Sequence, residues 1–462
     1  MKSLEKYGKG VLIFLIIVLW FIPLYQQLVP FLKVEPLQGD IRPEADSTLK
    51  KSNWFNGSYA AQKGKYLNEN FGFRNLFVRI KNQVYFSLLK IPTARDVIIG
   101  KNNFLYEEKY IRAYTGHDFR GEAAILSRLQ KVKFLTDTLE KLNIRLVLLF
   151  APGKTTFYPE YIPDKYFSDC DTMNTNYKWT VRIAKQLNLN LIDYNALFKL
   201  QKKNALYPLY PKTGTHWSVY SMYMACDTLV KYLEHLTRKE FLHFKYDNVE
   251  LSYNLRWPDG DIANGLNTLY EVKPLKMAYP DIHYVNNENA FKPGILTIAD
   301  SYWMGIYSTL MPQHLFNRHR FWYYYQQNLD YSGNIQDPID FKLKREIEKS
   351  DVILIMASEA TIGELGWGFI EDAYDLYANG ENSLRVHRKR TIANRIKVNM
   401  RADKKWLYDI ENKAKFFKMT VDSMMNMDIQ LMMNNRPDLY KLEKKSDIES
   451  DEDKLEDPKA EK

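Results

Sequence analysis

The stretch GILTIADSYW, residues 294–303, contains the strand-to-helix transition around which the chain is organised. Its first six residues form a short apolar run, which predicts a buried parallel strand. Residues 303–311 follow with apolar side chains at helical spacing, and Pro312 is predicted to end this helix. Ser301 is therefore expected at a turn on the carboxyl edge of a sheet, where a substrate can reach its hydroxyl.

Asp300 and Ser301 in this turn have two interpretations. The first amides of the following helix suit a developing oxyanion, which favours Ser301 as a nucleophile. The alternative is that both residues only cap the helix. The catalytic interpretation gains weight only if a base occurs elsewhere in the chain.

The stretch YPKTGTHWS, residues 210–218, supplies a candidate base in His216. A helix is predicted to start just after it, with Ser218 as its N-cap. The positive end of that helix favours a neutral imidazole, which can accept a proton from a serine hydroxyl. The alternative is a packed or hydrogen-bonded loop histidine. The other seven histidines have less suggestive neighbours.

Strand and helix patterns alternate through the middle of the chain. Residues 145–151 and 351–357 are predicted buried strands, and residues 122–142 carry apolar side chains at helical three- and four-residue steps. This alternation predicts an α/β fold with a mostly parallel sheet covered by helices on both faces. The length suits one α/β domain of roughly 250 residues with additions.

The N-terminus predicts a membrane anchor. Lys2, Lys6 and Lys9 precede an uninterrupted apolar run over residues 11–24, and diluted apolar character continues to Leu32. This is long enough to span a bilayer, and the preceding lysines place the N-terminus in the cytoplasm. The alternatives are a cleaved signal peptide, although no small-x-small cleavage site follows, and a buried core helix. We expect a single-pass inner-membrane protein whose main domain is periplasmic or extracellular.

The net charge of +9 could suggest binding to nucleic acid, but a location outside the cytoplasm argues against that function. The chain has only two cysteines, Cys170 and Cys226. They could form one disulfide in an oxidising compartment, or Cys226 could be a buried free thiol within a helix.

The composition divides the chain into five predicted regions. Its C-terminal helices carry basic side chains that either contact an anionic membrane or glycan or form a solvated face. The predicted regions are an anchor (1–32), a stalk and helical lead-in (33–95), the α/β domain (96–368), a helical extension (369–440) and a disordered charged tail (441–462).

No motif indicates a metal or a nucleotide cofactor. The run APGKTT, residues 151–156, imitates the end of a phosphate-binding loop, but Leu148 stands where that loop requires a glycine. His-Glu-x-x-His, Cys-x-x-Cys and Gly-x-Ser-x-Gly are all absent from the sequence.

Five short segments, in this order, resemble the alginate O-acetyltransferase-like branch of the SGNH hydrolase superfamily. They are YLNENFGFRNLFVRIKN (66–82), DVIIGKNNFLYE (96–107), LVLLFAPGKTTFYPEYIP (146–163), TGTHWS (213–218) and LTIADSYW (296–303). The resemblance implies an anchored or exported bacterial enzyme that moves acetyl groups onto an exopolysaccharide. It also implies a partner, a multispanning membrane-bound O-acyltransferase that brings acetyl across the membrane.

The resemblance also assigns roles. Ser301 matches the nucleophile of the family's Gly-Asp-Ser block, with Ala299 in place of the glycine, and His216 matches the base of its Asp-Thr-His-Trp block. The family's acid, two residues before the histidine, is replaced here by Gly214. Another carboxylate or a backbone carbonyl could orient His216, or the enzyme could use a dyad, or the protein could only bind glycan.

Several further residues are candidates for the site. Asp261, in GDIANGLN, and Asp300 are the candidates for the missing acid. The candidates for contacting the oxyanion or the substrate are Trp217, Tyr302, Trp303 and Lys154. The aromatic run 321–325 is either a further surface that stacks on sugars or, equally, a buried strand. Two alternatives to acetyl transfer stay open, which are an acetylesterase using the same site and a non-catalytic scaffold of an export complex.

Overall fold

A computed structural model of the chain describes residues 2–39, 45–168, 170–331, 335–336 and 342–435. The predicted disordered tail, residues 441–462, lies outside the described residues, as do residues 40–44 of the predicted stalk. The rest of residues 33–50 forms no helix or strand.

Eleven strands form three sheets in the described residues. The central sheet has seven strands in the order β10-β9-β8-β7-β11-β3-β4, and β1 with β2 and β5 with β6 form two antiparallel pairs. The strands are β1 (Val97–Ile99), β2 (Leu105–Glu107), β3 (Arg145–Ala151), β4 (Leu191–Asp193), β5 (Phe244–Ser252), β6 (Met277–Tyr284), β7 (Gly294–Ala299), β8 (Arg318–Tyr323), β9 (Gln327–Leu329), β10 (Ile335–Gln336) and β11 (Val352–Ser358).

Strands β8, β7, β11, β3 and β4 are mutually parallel, whereas β9 and β10 add an antiparallel edge. Side chains of β3 alternate between two apolar clusters, with Val147 and Leu149 on one face and Leu148 and Phe150 on the other. Since successive strand residues point to opposite faces, both faces of the sheet are covered, as predicted.

The helices of the described residues include those predicted over residues 122–142 and after Ser218, with ends shifted by a few residues. They are α1 (Lys2–Leu28), α2 (Lys51–Phe55), α3 (Ser58–Asn70), α4 (Arg74–Val84), α5 (Glu108–Tyr114), α6 (Glu122–Glu140), α7 (Lys154–Phe157), α8 (Asn176–Gln186), α9 (Tyr194–Gln201), α10 (Val219–Thr237), α11 (Asp261–Gly265), α12 (Ser301–Ser308), α13 (Met311–Leu315), α14 (Leu343–Glu348), α15 (Phe369–Tyr374), α16 (Glu381–Ala402), α17 (Lys404–Phe416) and α18 (Val421–Asn435).

The prediction for the helix after Ser301 was wrong at both ends. Helix α12 begins at Ser301 itself and ends at Ser308. Leu310 has a left-handed backbone conformation (φ 60°), which separates α12 from α13. Pro312 therefore lies in the first turn of α13, where its missing N–H costs nothing, and does not terminate α12.

Helix α1 contains one segment, Lys9–Leu28, that is long and apolar enough to cross a membrane. A signal sequence would meet the same criteria, so this segment gives only limited support to an anchor. A Cβ atom added at Gly72 would lie 2.0 Å from the Pro23 carbonyl oxygen and 2.8 Å from the Gln27 nitrogen. The start of α4 therefore abuts the end of α1.

The C-terminal helices α16, α17 and α18 pack on each other around a small apolar cluster. This agrees with the predicted helical extension. Cys170 and Cys226 are both free thiols, so the structure contains no disulfide between them.

Candidate active site

Ser301 is the first residue of α12, directly after the central strand β7. Asp300 caps this helix because its Oδ1 accepts a hydrogen bond from the Tyr302 amide at 3.0 Å. Strand β7 lies between β8 and β11, so the Ser301 hydroxyl stands at the carboxyl edge in the middle of the parallel strands.

His216 lies in the loop that leads into α10, and Ser218 caps that helix as predicted. The Nε2 atom of His216 is 2.9 Å from the Oγ atom of Ser301. The two residues that the sequence selected separately therefore meet across 85 positions of the chain at hydrogen-bonding distance.

Asp261, the first residue of α11, completes the arrangement. Its Oδ2 atom is 2.5 Å from His216 Nδ1, on the side of the ring opposite Ser301. Its Oδ1 atom accepts hydrogen bonds from the Thr215 amide at 2.8 Å and the Ile262 amide at 2.7 Å. A carboxylate held in this way fixes which imidazole nitrogen carries the proton and leaves Nε2 free to accept one.

The packing around Gly214 explains why the acid does not lie two residues before His216. A Cβ atom at Gly214 would be 2.8 Å from the carbonyl oxygens of both Pro258 and Asp259. These carbonyls belong to the segment that leads into α11. The approach that brings Asp261 to the imidazole therefore also leaves no space for an aspartate side chain at position 214.

The pKa of His216 lies above its ordinary value of 6.5. Burial lowers this pKa, but the charge of the Asp261 carboxylate and its hydrogen bond to the ring outweigh burial. The sequence predicted that the start of α10 would favour the neutral imidazole and so lower the pKa of His216. That prediction is wrong, because the pKa is raised. The arrangement instead stabilises the imidazolium that forms when the ring takes a proton.

Asp300, the other candidate for the acid, does not reach His216. Its Oδ2 atom accepts from the Ser358 amide at 2.8 Å and from the Thr361 hydroxyl at 2.6 Å. Asp300 is fully buried and ties the start of α12 to the end of β11, so its role in the structure is to position the turn.

The aromatic candidates next to the two motifs are core residues. Trp217, Tyr302 and Trp303 are 0–1% exposed, which excludes stacking on a sugar. The Tyr302 hydroxyl donates to the Thr215 carbonyl at 3.0 Å, and its ring centroid is 5.0 Å from that of His216. Tyr302 therefore packs against the base and holds its loop.

Lys154, a predicted oxyanion or substrate contact, is also buried. Its Nζ atom donates to three backbone carbonyls, those of Leu105, Lys212 and Gly214, at 2.7–2.8 Å. Burial lowers the pKa of Lys154 well below its usual range. The lysine therefore fastens the loop that carries His216 to strand β2, and its amine is not free for a substrate.

The aromatic run at the end of β8 divides into two parts. Phe321 and Trp322 are fully buried, so neither can stack on a sugar. The hydroxyl of the half-buried Tyr324 lies near Ser301, and burial raises its pKa to about 12. Tyr324 has a left-handed backbone conformation (φ 50°), which is uncommon for a bulky residue and frequent at functional sites.

Two clefts flank the short helix α11. One has a volume of about 560 Å³ and adjoins Asp261. Its charged lining residues are Arg95, Asp96, Glu107, Glu108, Lys109 and Arg112. The other, of about 340 Å³, is lined mainly by polar side chains, among them Tyr253, Asn254, Asn264 and Glu271. The first cleft is lined by Asp261, whose carboxylate contacts His216.

Residues 97–281 match the family model described as "SGNH hydrolase-like domain, acetyltransferase AlgX". This match includes His216 and Asp261 and ends before Ser301. A relative, the probable alginate O-acetylase AlgJ of Pseudomonas syringae pv. tomato, is 25% identical over 172 residues. The alignment covers 37% of this chain and 42% of the relative, so the chain spans less than half of that protein's length.

Two solved structures are also similar to this chain. The O-acetyltransferase domain of Pseudomonas putida AlgJ is 15% identical, with a TM-score of 0.40, over 60% of this chain and 98% of that one. Pseudomonas aeruginosa AlgX is 13% identical, with a TM-score of 0.41, over 61% and 67%. Together with the α/β sheet, the match shows that residues 97–281 are similar to the SGNH hydrolase-like domain of alginate O-acetyltransferases.

Proposed function

We propose that this protein transfers acetyl groups to hydroxyls of an extracytoplasmic polysaccharide, with Ser301 as nucleophile, His216 as base and Asp261 as the acid that orients the base. The single observation that carries this proposal is the contact of 2.9 Å between His216 Nε2 and Ser301 Oγ. The similarity to acetyltransferase domains supports the acetyl group as the one transferred.

In the first half-reaction, His216 Nε2 accepts the Ser301 proton while Oγ attacks the carbonyl carbon of an acetyl donor. The tetrahedral intermediate collapses to acetyl-Ser301, and the donor's leaving group takes the proton from His216. In the second half-reaction, His216 takes the proton of a sugar hydroxyl, whose oxygen attacks the acetyl carbonyl. Collapse then releases the sugar ester, and the proton returns to Ser301.

Two donors are proposed for the oxyanion of both intermediates. Ser301 is the first residue of α12, so its backbone N–H has no acceptor within that helix. The Tyr324 hydroxyl lies near the same residue. Donors fixed in this way before the reaction stabilise the transition state more than the ground state.

The charged cleft beside Asp261 is the proposed route for the polymer, because Asp261 lines it and contacts His216. Its volume of about 560 Å³ lies within the usual range for binding pockets. We further propose that α1 anchors the protein in the inner membrane with the N-terminus in the cytoplasm. A multispanning membrane-bound O-acyltransferase would then supply acetyl on the outer side.

Two variants test the proposal. Ser301→Ala and His216→Ala should each abolish acetylation of the polymer in cells that lack the native protein, with the variants present at wild-type levels. Acetylation that continues undiminished in either variant would refute it. An acetylesterase would instead release free acetate from acetylated polymer, so measuring acetate and polymer ester together separates hydrolysis from transfer.

The absence of an acid at Gly214 favoured an alternative interpretation, in which the protein is a non-catalytic glycan-binding scaffold. The contact between Asp261 and His216 supports the catalytic proposal, because it provides the acid that Gly214 cannot. A scaffold predicts no covalent labelling of Ser301 by an activated acetyl ester. Acetyl-Ser301 detected by mass spectrometry, and lost in His216→Ala, would exclude the scaffold.

A further inference from the structure

The segment that carries Asp261 is fastened on its outer side by residues of the lead-in. Asn82, at the end of α4, is buried and donates through Nδ2 to the Leu266 carbonyl at 2.8 Å and the Asn267 carbonyl at 3.3 Å. Gln83 accepts a hydrogen bond from the Tyr270 amide at 2.9 Å. These bonds join parts of the chain that are more than 180 residues apart.

A second set of bonds attaches the same segment to the start of the lead-in. The Asn267 side chain accepts from the Gln38 amide at 2.7 Å and donates to the Gln38 carbonyl at 2.9 Å, which imitates a strand pair. The Arg79 guanidinium bridges the carbonyls of Pro36 at 2.9 Å and Thr268 at 3.4 Å.

Apolar packing continues this attachment into α11 itself. Ile262 of that helix and Leu266, which follows it, belong to one buried cluster with Phe86, which follows α4, and with Val97 and Leu105 of the first hairpin. Helix α11 has only five residues, and a helix of that length has little stability of its own. The position of its first residue, Asp261, therefore depends on the surfaces against which the helix packs.

We infer that the lead-in is a positioning element for the acid of the active site, with Asn82 and Arg79 as its principal positioning residues. This inference rests on the proposed role of Asp261. Asp261 lies on a short helix outside the His216 loop, and the lead-in helps to hold that helix in place. The segment between the predicted anchor and the α/β domain thus contributes to the geometry of the reaction.

The test measures the pKa of His216 by NMR in the full-length chain in detergent micelles. Histidine labelled with ¹⁵N gives the titration curve, and a His216→Gln variant assigns the signal. Because Asp261 raises the pKa of His216, loss of its position should lower that pKa. In Asn82→Ala the pKa should fall in the same direction as in Asp261→Asn, and the acid limb of esterase activity should move to lower pH with KM unchanged.

Asn176→Ala is the matched control. Asn176 is also a buried amide that joins backbone groups, the Arg120 amide at 2.9 Å and the Asp118 carbonyl at 3.0 Å, but it has no contact with α11. Its loss should reduce stability and leave the His216 titration unchanged. Arg79→Gln, on a partly buried side chain, is a milder second variant that should give a smaller shift of the same sign.

An unchanged His216 titration in both Asn82→Ala and Arg79→Gln, with the fold intact by circular dichroism, would overturn the inference. This readout needs no turnover. Failure of this inference is therefore distinct from failure of the proposed function. The proposed function is tested by measuring polymer acetylation in the Ser301→Ala variant.

Discussion

His216 contacts the carboxylate of Asp261 at 2.5 Å, although 45 positions separate the two residues in the chain. This contact replaces the one that the related proteins' motif would make within a single loop. Variants of Asp261 and Gly214 should therefore reveal how much this contact contributes to activity.

Asp261→Asn should lower kcat by about 10²- to 10⁴-fold, because an amide can neither select the imidazole tautomer nor stabilise the imidazolium. The acid limb of the pH–rate profile should also move to lower pH, because the pKa of His216 is held above its usual value by this carboxylate. Hydrolysis of p-nitrophenyl acetate between pH 4 and pH 9, a range chosen to bracket about 6.5 for histidine, measures both effects. Retention of the wild-type rate would remove Asp261 from the proposed mechanism.

Gly214→Asp should not restore the acid of the related motif. Its Cβ would lie 2.8 Å from two backbone carbonyl oxygens, so the segment before α11 must shift. We expect a lower melting temperature and no recovery of activity in the double variant Gly214→Asp with Asp261→Asn. Differential scanning fluorimetry and the esterase assay test this, and recovery by the double variant would contradict the steric explanation.

Lys154→Met should destabilise the protein by on the order of 3 kcal/mol, because three buried carbonyls lose their shared donor. Methionine keeps most of the volume, so the loss reports hydrogen bonding more than packing. Urea unfolding in detergent measures it, with Lys199→Met on an exposed lysine as the control. Equal stability of the two variants would show that the clamp on the His216 loop contributes little.

Tyr324→Phe should lower kcat by about 10²-fold with little change in KM, since one oxyanion donor is lost. Tyr377→Phe is the control because its buried hydroxyl has no partner among the described side chains and does not contact Ser301. Equal kcat values for the Tyr324 variant and the wild type would exclude the hydroxyl as a donor.

Glu359→Gln should stabilise the protein above pH 7. Burial raises the pKa of Glu359 from 4.5 to about 7, so the folded state binds its proton more tightly than the unfolded state. Stability is therefore lost as the pH rises from about 4.5 to about 7, by at most about 3 kcal/mol. Thermal unfolding of both proteins at pH 4 and pH 8, chosen to bracket about 4.5 and about 7, tests it, and the difference should appear at the higher pH only. An equal difference at both pH values would show that ionisation is not its cause.

The α/β fold followed from the sequence because the central strands are uniformly apolar and their helices strongly periodic. Ser301 and His216 were also identifiable, since each stands at a local strand-to-helix or loop-to-helix transition. Asp261 was only one candidate among two, because its proximity to His216 depends on tertiary packing and not on local pattern. Lys154 was misread for a general reason, which is that lysine is almost never fully buried.

The lead-in was the least predictable region. The predicted helical lead-in is not one continuous helix, because left-handed residues at Gly57 and Phe73 separate α2, α3 and α4, and a π-helical turn follows over Tyr85–Leu89. Isolated residues in this conformation give a weak sequence signal, particularly when one of them is a phenylalanine. The contacts of Asn82 and Asn267 likewise left no pattern in the sequence.

The contact between Gly72 and the end of α1 has a consequence for where the enzyme can work. One helix, α4, separates that contact from Asn82, and its 11 residues span about 16 Å. Where α1 crosses a bilayer, this packing keeps the domain that carries Ser301 close to the lipid surface. Polymer would then be modified as it emerges, within a thin layer next to the bilayer, and polysaccharide chains already far from the cell would be out of reach.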